Sequence, residues 1–316
     1  MMKITFLDAA TLGEDISTDL FSSLGEVKVW SGTTAEQADA HIEDSDVIVL
    51  NKVKINAATL EGHPNLKLIC ITATGYDNVD LEACRERGVA VCNVVGYSTQ
   101  SVAQLTVLMA LTLLTRLEEY QSYVRDGSYT ASGIANRLVP VYSEIFGKTW
   151  GIVGYGNIGQ QVARVAAAMG CRTIVHKRTP TDDAVCVDFD TICRESDILS
   201  FHTPLNDGTR GMLDEAHVAM LKPNAIVINV ARGAVTDEKA LADAVKEGKI
   251  AGLGVDVYSA EPLPKDHPFT EIMHLPNVCL TPHMAWGAYE TRMRLLEEVL
   301  QNVRSFLEGG NRNRLV

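Results

Sequence analysis

Three polar residues, far apart in the chain, share one kind of neighbourhood. The apolar run "AIVINVA" ends at Arg232, "GLGVDVY" leads to Glu261, and "NVCLTP" leads to His283. The runs read as buried strands, so all three residues fall at or just beyond strand carboxyl ends, where open α/β sheets bind ligands. Chemically they complement one another. A guanidinium grips a carboxylate bidentately and polarises the carbonyl beside it. An imidazolium supplies the proton that an alkoxide needs after hydride delivery. A neighbouring carboxylate orients the imidazole and favours its charged form. A 2-keto acid is a substrate that uses all three groups. Each residue also has a plainer reading: Arg232 as a strand-end ion pair, Glu261 as a solvated loop residue before a proline, His283 as a structural histidine. Their common address is what argues for chemistry. His41, His63, His176, His202, His217, His267 and His274 lack this convergence and read as structural, with His202 heading a strand-end loop within reach of a cofactor.

A second constellation is "VGYGNIG", with Gly154, Gly156 and Gly159 in G-x-G-x-x-G spacing. It follows the strand "TWGIV" and opens the helix "NIGQQVARVAAAMG", the context in which the motif signals a dinucleotide. Gly154 permits the tight turn, Gly156 lets a diphosphate approach the backbone, and Gly159 lets helix and strand pack closely. At the end of the next strand, "CRTIVH", an acid would hold the ribose diol. Lys177, Arg178 and Thr179 stand there instead. Two cations neutralise a 2′-phosphate where an acid would repel it. The pocket therefore reads as built for NADP(H), with NAD(H) as the alternative.

These residues need strands to carry them. Short Val- and Ile-rich runs alternate with helical patterns throughout: "KITFLDA", "EVKVW", "DVIVLN", "LKLICIT", "VAVCNV", then "TWGIVGYG", "CRTIVH", "DILSFHTP", "AIVINVAR", "AGLGVDVY" and "NVCLTPH". Several are apolar on both faces, as in parallel sheets covered by helices. They are too many for one sheet of ordinary size and divide into two. A long buried helix from about Ser101 separates the groups. The amphipathic "YETRMRLLEEVLQNVRSFLEGG" follows the second, with Gly309 and Gly310 as stop signals.

Bulk properties narrow the classes. The chain has 316 residues and a formal net charge of −12, which disfavours nucleic acid as a partner. Its 7 cysteines include no CxxC pair, so a metal site is not expected, and free thiols in the reducing cytoplasm are. "MMKITFLDAA" reads as a first strand rather than a leader. "SVAQLTVLMALTLLTRL" falls short of the roughly 20 apolar residues of a membrane span.

In order and spacing, "ATGYDNVD", "GYSTQSVAQ", "GKTWGIVGYGNIG", "FHTPLNDGTRGML", "INVARGAVTDEKAL", "GLGVDVYSAEPLP" and "LTPHMAWG" resemble the D-isomer-specific 2-hydroxyacid dehydrogenases, nearly end to end. The resemblance implies two Rossmann-like or flavodoxin-like doubly wound parallel-sheet domains with a cleft between them. Residues 1–99 and 288–316 would be the substrate-binding domain, and 100–287 the dinucleotide-binding domain. It makes Arg232 the substrate-binding arginine, Glu261 the partner of the catalytic histidine, and His283 the acid/base. It places Lys52 and the backbone at Thr74 and Gly75 against the substrate. It gives the amides of Asn157 and Ile158 to the diphosphate, and lines the cofactor with Thr203, Thr209, Ala231 and Asp256. It implies a homodimer with hinged closure. Lys177 departs from the commoner acidic residue. "VLNKVKI" and "TPHMAWG" look most like the glycerate dehydrogenase, or hydroxypyruvate reductase, branch, acting on hydroxypyruvate or glyoxylate. Trp286 either narrows the pocket for a small substrate or simply packs. The alternatives are a reductase of bulkier 2-keto acids and, from another class, a dinucleotide-sensing binding protein resembling the C-terminal binding protein corepressors. Phosphoglycerate dehydrogenase is disfavoured because only one helix follows the last block, and formate dehydrogenase because that branch pairs its histidine with glutamine.

Overall fold

The computed structural model describes residues 1–316, in two compact units: Met1–Ser98 with Gly287–Val316, and Thr99–Trp286. The first unit begins with β1 (Met2–Phe6), β2 (Gly25–Val29), α1 (Ala38–Ile42), β3 (Val47–Leu50), α2 (Ala57–Glu61), β4 (Leu68–Ile71), α3 (Leu81–Arg87) and β5 (Ala90–Cys92). Its sheet runs β2-β1-β3-β4-β5, and every pairing is parallel. "VIVL" and "LICI" are buried along their whole length, as expected for central strands covered on both faces. Asn56 and Asp80 start α2 and α3 by accepting the amides of Thr59 and Ala83, which satisfies donors that a helix start leaves open.

The second unit holds α4 (Thr99–Thr115), α5 (Leu117–Arg125), α6 (Ser128–Ser132), β6 (Thr149–Val153), α7 (Asn157–Ala168), β7 (Arg172–His176), α8 (Phe189–Glu195), β8 (Ile198–Phe201), α9 (Glu215–Val218), β9 (Ile226–Asn229), α10 (Glu238–Lys246), β10 (Gly252–Val255) and β11 (Val278–Leu280). These strands are also parallel, in the order β11-β10-β9-β8-β6-β7. Alternate residues serve opposite faces. Trp150, Ile152, Ile198, Ile226 and Ile228 pack with α4 and α7, whereas Leu199, Phe201, Val227, Leu253 and Val255 pack with α8 and α10. α4 is a core helix whose Val102, Leu105, Met109 and Leu113 are buried. No single helix is long and apolar enough to cross a membrane.

The last helix, α11 (Tyr289–Leu307), belongs to the first unit and packs on β4. Gly309, at φ 78°, follows its end. All eleven runs read from the sequence form strands, in two sheets. One edge of the second sheet lies outside these runs. Val175 donates to Val185 O and receives from Val187 N, both at 2.9 Å. Residues 185–187 thus extend the second sheet beyond β7 as a strand reduced to a single bridge. The strand order reverses between β6 and β8, the switch point at which such sheets bind nucleotides.

Candidate active site

The turn after β9 is folded around a side chain. Buried Asn229 donates from Nδ2 to Arg232 O at 2.9 Å and accepts the Ala231 amide at Oδ1 at 3.0 Å. Ala231 itself is buried. Arg232 is half-buried; its Nη1 donates to Ala231 O at 2.7 Å, and it has no acid partner. Next to it, a Cβ on Gly233 would lie 2.1 Å from both Ser259 N and Tyr258 C. Only glycine lets the Arg232 turn touch the loop that leads to Glu261.

Beyond β10 and β11 a buried carboxylate organises the histidine. Asp256 is fully buried and accepts from Thr281 Oγ1 at 2.5 Å and from the amides of Met284 and Ala285, each at 2.9 Å. Burial pushes its carboxyl up, and these three donors pull the other way. They bracket His283, whose φ of 55° is a left-handed conformation costing a side chain roughly 1–2 kcal/mol. Asp256, expected to line the cofactor, thus has its carboxylate beneath the His283 turn. Tyr258 joins the two loops. Its hydroxyl donates to Thr281 O at 2.9 Å and its amide to Glu261 Oε1 at 3.2 Å. Burial pushes this phenol up to about 12. His283 Nδ1 meets Glu261 Oε2 at 2.7 Å, with the side chains 27% and 29% exposed. The pair is formed yet open to a small molecule, and Nε2 is the ring nitrogen left for chemistry.

The glycine turn has the geometry its spacing predicts. Gly154 has φ 92°, and a Cβ there would sit 2.6 Å from His202 O and 2.9 Å from Thr203 N. A Cβ on Gly159 would lie 2.1 Å from Gly154 O, whereas one on Gly156 meets nothing within 4 Å. Asp188, Asp214 and Asp237 cap α8, α9 and α10, but no side chain caps α7 at Gly156. Asn157 and Ile158 open that helix, exposed and half-buried respectively. The cradle is thus free of side chains where a diphosphate needs backbone amides, and these residues fit a dinucleotide. Gly154 N donates to His176 O at 2.9 Å, so the turn starts beside the end of β7. There Lys177 is half-buried, Arg178 and Thr179 are exposed, and neither cation has an acid partner.

Other candidates differ in how far they are engaged. Thr203 is half-buried against Gly154. The Thr209 hydroxyl donates to Pro204 O at 2.6 Å and accepts the Asn206 amide at 2.9 Å, so it folds its own loop. His202 Nε2 meets Ser200 Oγ at 3.0 Å, and that oxygen also accepts from Trp150 Nε1 at 2.9 Å. The Ser200 hydroxyl thus bridges the Trp150 and His202 rings. His202 keeps some exposure, but its Nδ1 is sealed without a partner; burial pushes the ring down to about 3, so it stays neutral.

In the first unit, the buried Asp8 carboxylate accepts the amides of Asn51, Lys52 and Val53, at 2.9, 2.6 and 3.3 Å. Desolvation pushes Asp8 up against these bonds. Asn51 Nδ2 in turn holds Thr72 O at 2.9 Å. Lys52 is exposed. The Thr74 hydroxyl donates to Val94 O and the Thr74 carbonyl accepts from Asn93 Nδ2, both at 2.7 Å. Gly75 beside it is half-buried. Asp8, Asn229 and Tyr258, which shape these turns, are not among the residues singled out from the sequence; their strand-end positions are the only signal it carries.

A parallel sheet that reverses its order beside an uncapped glycine turn, with a histidine–glutamate pair at the ends of neighbouring strands, defines the class: a dinucleotide-binding oxidoreductase. Within that class, the sequence pattern of the D-isomer specific 2-hydroxyacid dehydrogenase, NAD binding domain, matches residues 107–285, and the chain belongs to this family. A glycerate dehydrogenase of Methylorubrum extorquens is 35% identical over 313 residues, 98% of each chain. A glyoxylate reductase of Thermococcus litoralis is 37% identical over 295 residues, 90% of this chain and 88% of that one. An acyclic imino acid reductase, solved with NADPH and D-Arg, superposes with a TM-score of 0.88 at 29% identity over the whole of both chains.

Proposed function

We propose that this protein is an NADPH-preferring reductase of small 2-keto acids, converting hydroxypyruvate or glyoxylate to D-glycerate or glycolate. The observation that carries the reading is the 2.7 Å His283–Glu261 contact, with Arg232, which has no acid partner, on the adjoining turn. When bound, the nicotinamide supplies the hydride. Arg232 holds the substrate carboxylate through parallel N–H bonds and polarises the keto oxygen. As the carbonyl π pair moves onto oxygen, His283 Nε2 delivers the proton that makes the hydroxyl. Glu261 holds Nδ1, orients the ring and stabilises its charged state. The ring is reprotonated from solvent before the next turnover.

In this reading Thr99–Trp286 is the dinucleotide domain and the first unit is the substrate domain, with Lys52, Thr74 and Gly75 as its substrate contacts. The diphosphate meets Gly156 and the amides of Asn157 and Ile158; Thr203, Ala231 and the Asp256-held turn line the cofactor. We read the protein as a cytoplasmic homodimer. Its 7 free cysteines suit a reducing compartment. Ile134, Leu138 and Val141, 63%, 70% and 80% exposed, offer the kind of apolar surface that partners cover.

The preference for NADPH rests on Lys177 and Arg178, two unpartnered cations beside the glycine turn. A charge-assisted phosphate contact is worth on the order of 1.5–3 kcal/mol, or roughly 10- to 100-fold in affinity. The test is kcat/KM for hydroxypyruvate, glyoxylate and a branched 2-keto acid, with NADPH and NADH, in the wild type and in Lys177→Asp. Turnover with the small acids, an NADPH preference, and its loss or reversal in the variant are expected. Wild-type preference for NADH would mean that these cations face solvent. No turnover with any acid would favour a dinucleotide-sensing binding protein.

A further inference from the structure

Behind the Glu261–His283 pair stands a second carboxylate–histidine pair. Glu238, the first residue of α10, accepts the Ser259 amide at Oε1 at 2.9 Å. Its Oε2 accepts the Ser259 hydroxyl and faces His267 Nε2 at 2.9 Å. Phe269 N donates to His267 Nδ1 at 3.2 Å, which leaves Nε2–H to face Glu238. The side chains of His267 and Glu238 are only 5% and 10% exposed. A buried carboxylate is costly unless donors surround it, and here three do. Two of them come from Ser259, two residues before Glu261.

Tyr258, the preceding residue, connects this cluster to the reacting pair. Its ring meets that of His267 edge-on at 6.1 Å. Its amide holds Glu261 Oε1, and its hydroxyl holds the carbonyl of Thr281, two residues before His283. The loop carrying Glu261 is therefore anchored at its base by Glu238, while Glu261 itself reaches out to a histidine in a left-handed turn.

We propose that Glu238, with His267, is a positioning residue pair that fixes the Tyr258–Ser259 backbone so that Glu261 Oε2 stays on His283 Nδ1. Glu238 contributes to turnover only through Glu261. This rests on the reading of His283 and Glu261 as the acid–base pair, and the experiment separates the two claims. Glu238→Gln keeps the shape of the side chain but presents an NH2 group where the hydroxyl and imidazole donors need an acceptor. Coupled residues in one hydrogen-bond network give non-additive losses, whereas independent ones multiply.

The measurement is kcat for 2-keto acid reduction in Glu238→Gln, in Glu261→Gln and in the double variant, with the dinucleotide Kd of each. Glu238→Gln is expected to lower kcat by about 10-fold, in line with other residues that orient a reacting side chain from behind, and to leave the dinucleotide Kd within about 2-fold. Placed on Glu261→Gln, it should add less than about 2-fold, since the group it positions is already gone. Ser259→Ala removes only the hydroxyl donor and gives the same test with less risk to folding: a smaller loss of kcat, again absent in the Glu261→Gln background. If Glu261→Gln alone leaves kcat unchanged, the acid–base reading fails and this proposal with it. If Glu261→Gln lowers kcat while Glu238→Gln and Ser259→Ala do not, or their losses multiply with it, the acid–base reading stands and the positioning role is overturned.

Discussion

At the scale of single residues, two substitutions separate binding from proton transfer. His283→Ala removes Nε2 and is expected to cut kcat by roughly 100-fold or more, with dinucleotide affinity nearly unchanged, since the glycine turn belongs to other elements. Arg232→Lys retains a charge but loses the planar fork, so kcat/KM for the keto acid should fall steeply. Steady-state kinetics on both, with dinucleotide binding followed by fluorescence, makes the comparison. Near-normal kcat in His283→Ala would end the assignment of the proton donor. An unchanged kcat/KM in Arg232→Lys would remove the guanidinium from the substrate. The same scale explains why His283 and not His202 is the candidate. His202 is held neutral by burial, with a value of about 3, and has no proton to give at neutral pH, whereas His283 lies against a carboxylate and stays partly exposed.

At the scale of elements, the β6–α7 unit separates packing from binding. Gly159 lies against the carbonyl of Gly154, and an added Cβ would sit 2.1 Å from that oxygen. Gly159→Ala must push strand and helix apart, costing about 1–3 kcal/mol, roughly 2–4 °C of Tm per kcal/mol at this domain size. Gly156 adopts φ −81° and ψ −165°, which alanine tolerates, and a Cβ there meets nothing within 4 Å. Gly156→Ala should keep the wild-type Tm and weaken dinucleotide binding by about 10-fold or more, because the methyl fills the space a diphosphate needs. Calorimetry and a binding titration on the two proteins check this. Tight binding by Gly156→Ala would move the diphosphate elsewhere.

At the scale of the molecule, the exposed apolar side chains that follow α6 carry the homodimer reading. Sedimentation equilibrium at micromolar concentration should give twice the 34.4 kDa chain mass. Val141→Glu should shift the protein toward the monomer, because it sets a charge in an interface core from which charges are normally depleted. A monomeric wild type would contradict the reading. The net charge of −12 does not oppose an anionic substrate or cofactor, because Lys177, Arg178 and Arg232 supply positive charge locally.

Much of this was legible in the sequence, for a physical reason. A strand buried on both faces is apolar along its length, so runs such as "VIVL" and "LICI" disclosed themselves one at a time. The glycine spacing is likewise local: a turn, an approach and a helix contact within six residues. From strand ends alone, Arg232, Glu261 and His283 could be given one address. Which atoms touch was a different matter, because it depends on register and strand order. Residues 185–187 are too short to declare a strand and pair only because β7 lies beside them. Asp256 has the same apolar neighbours whether it faces a ligand or holds a turn, and only the fold puts Thr281, Met284 and Ala285 around it. Glu238 looks like an ordinary first-turn acid of a helix until the fold brings Ser259 and His267 to it from residues 21 and 29 positions away. Local composition and spacing determined the elements and the ends that carry chemistry; long-range packing decided which side chains meet there.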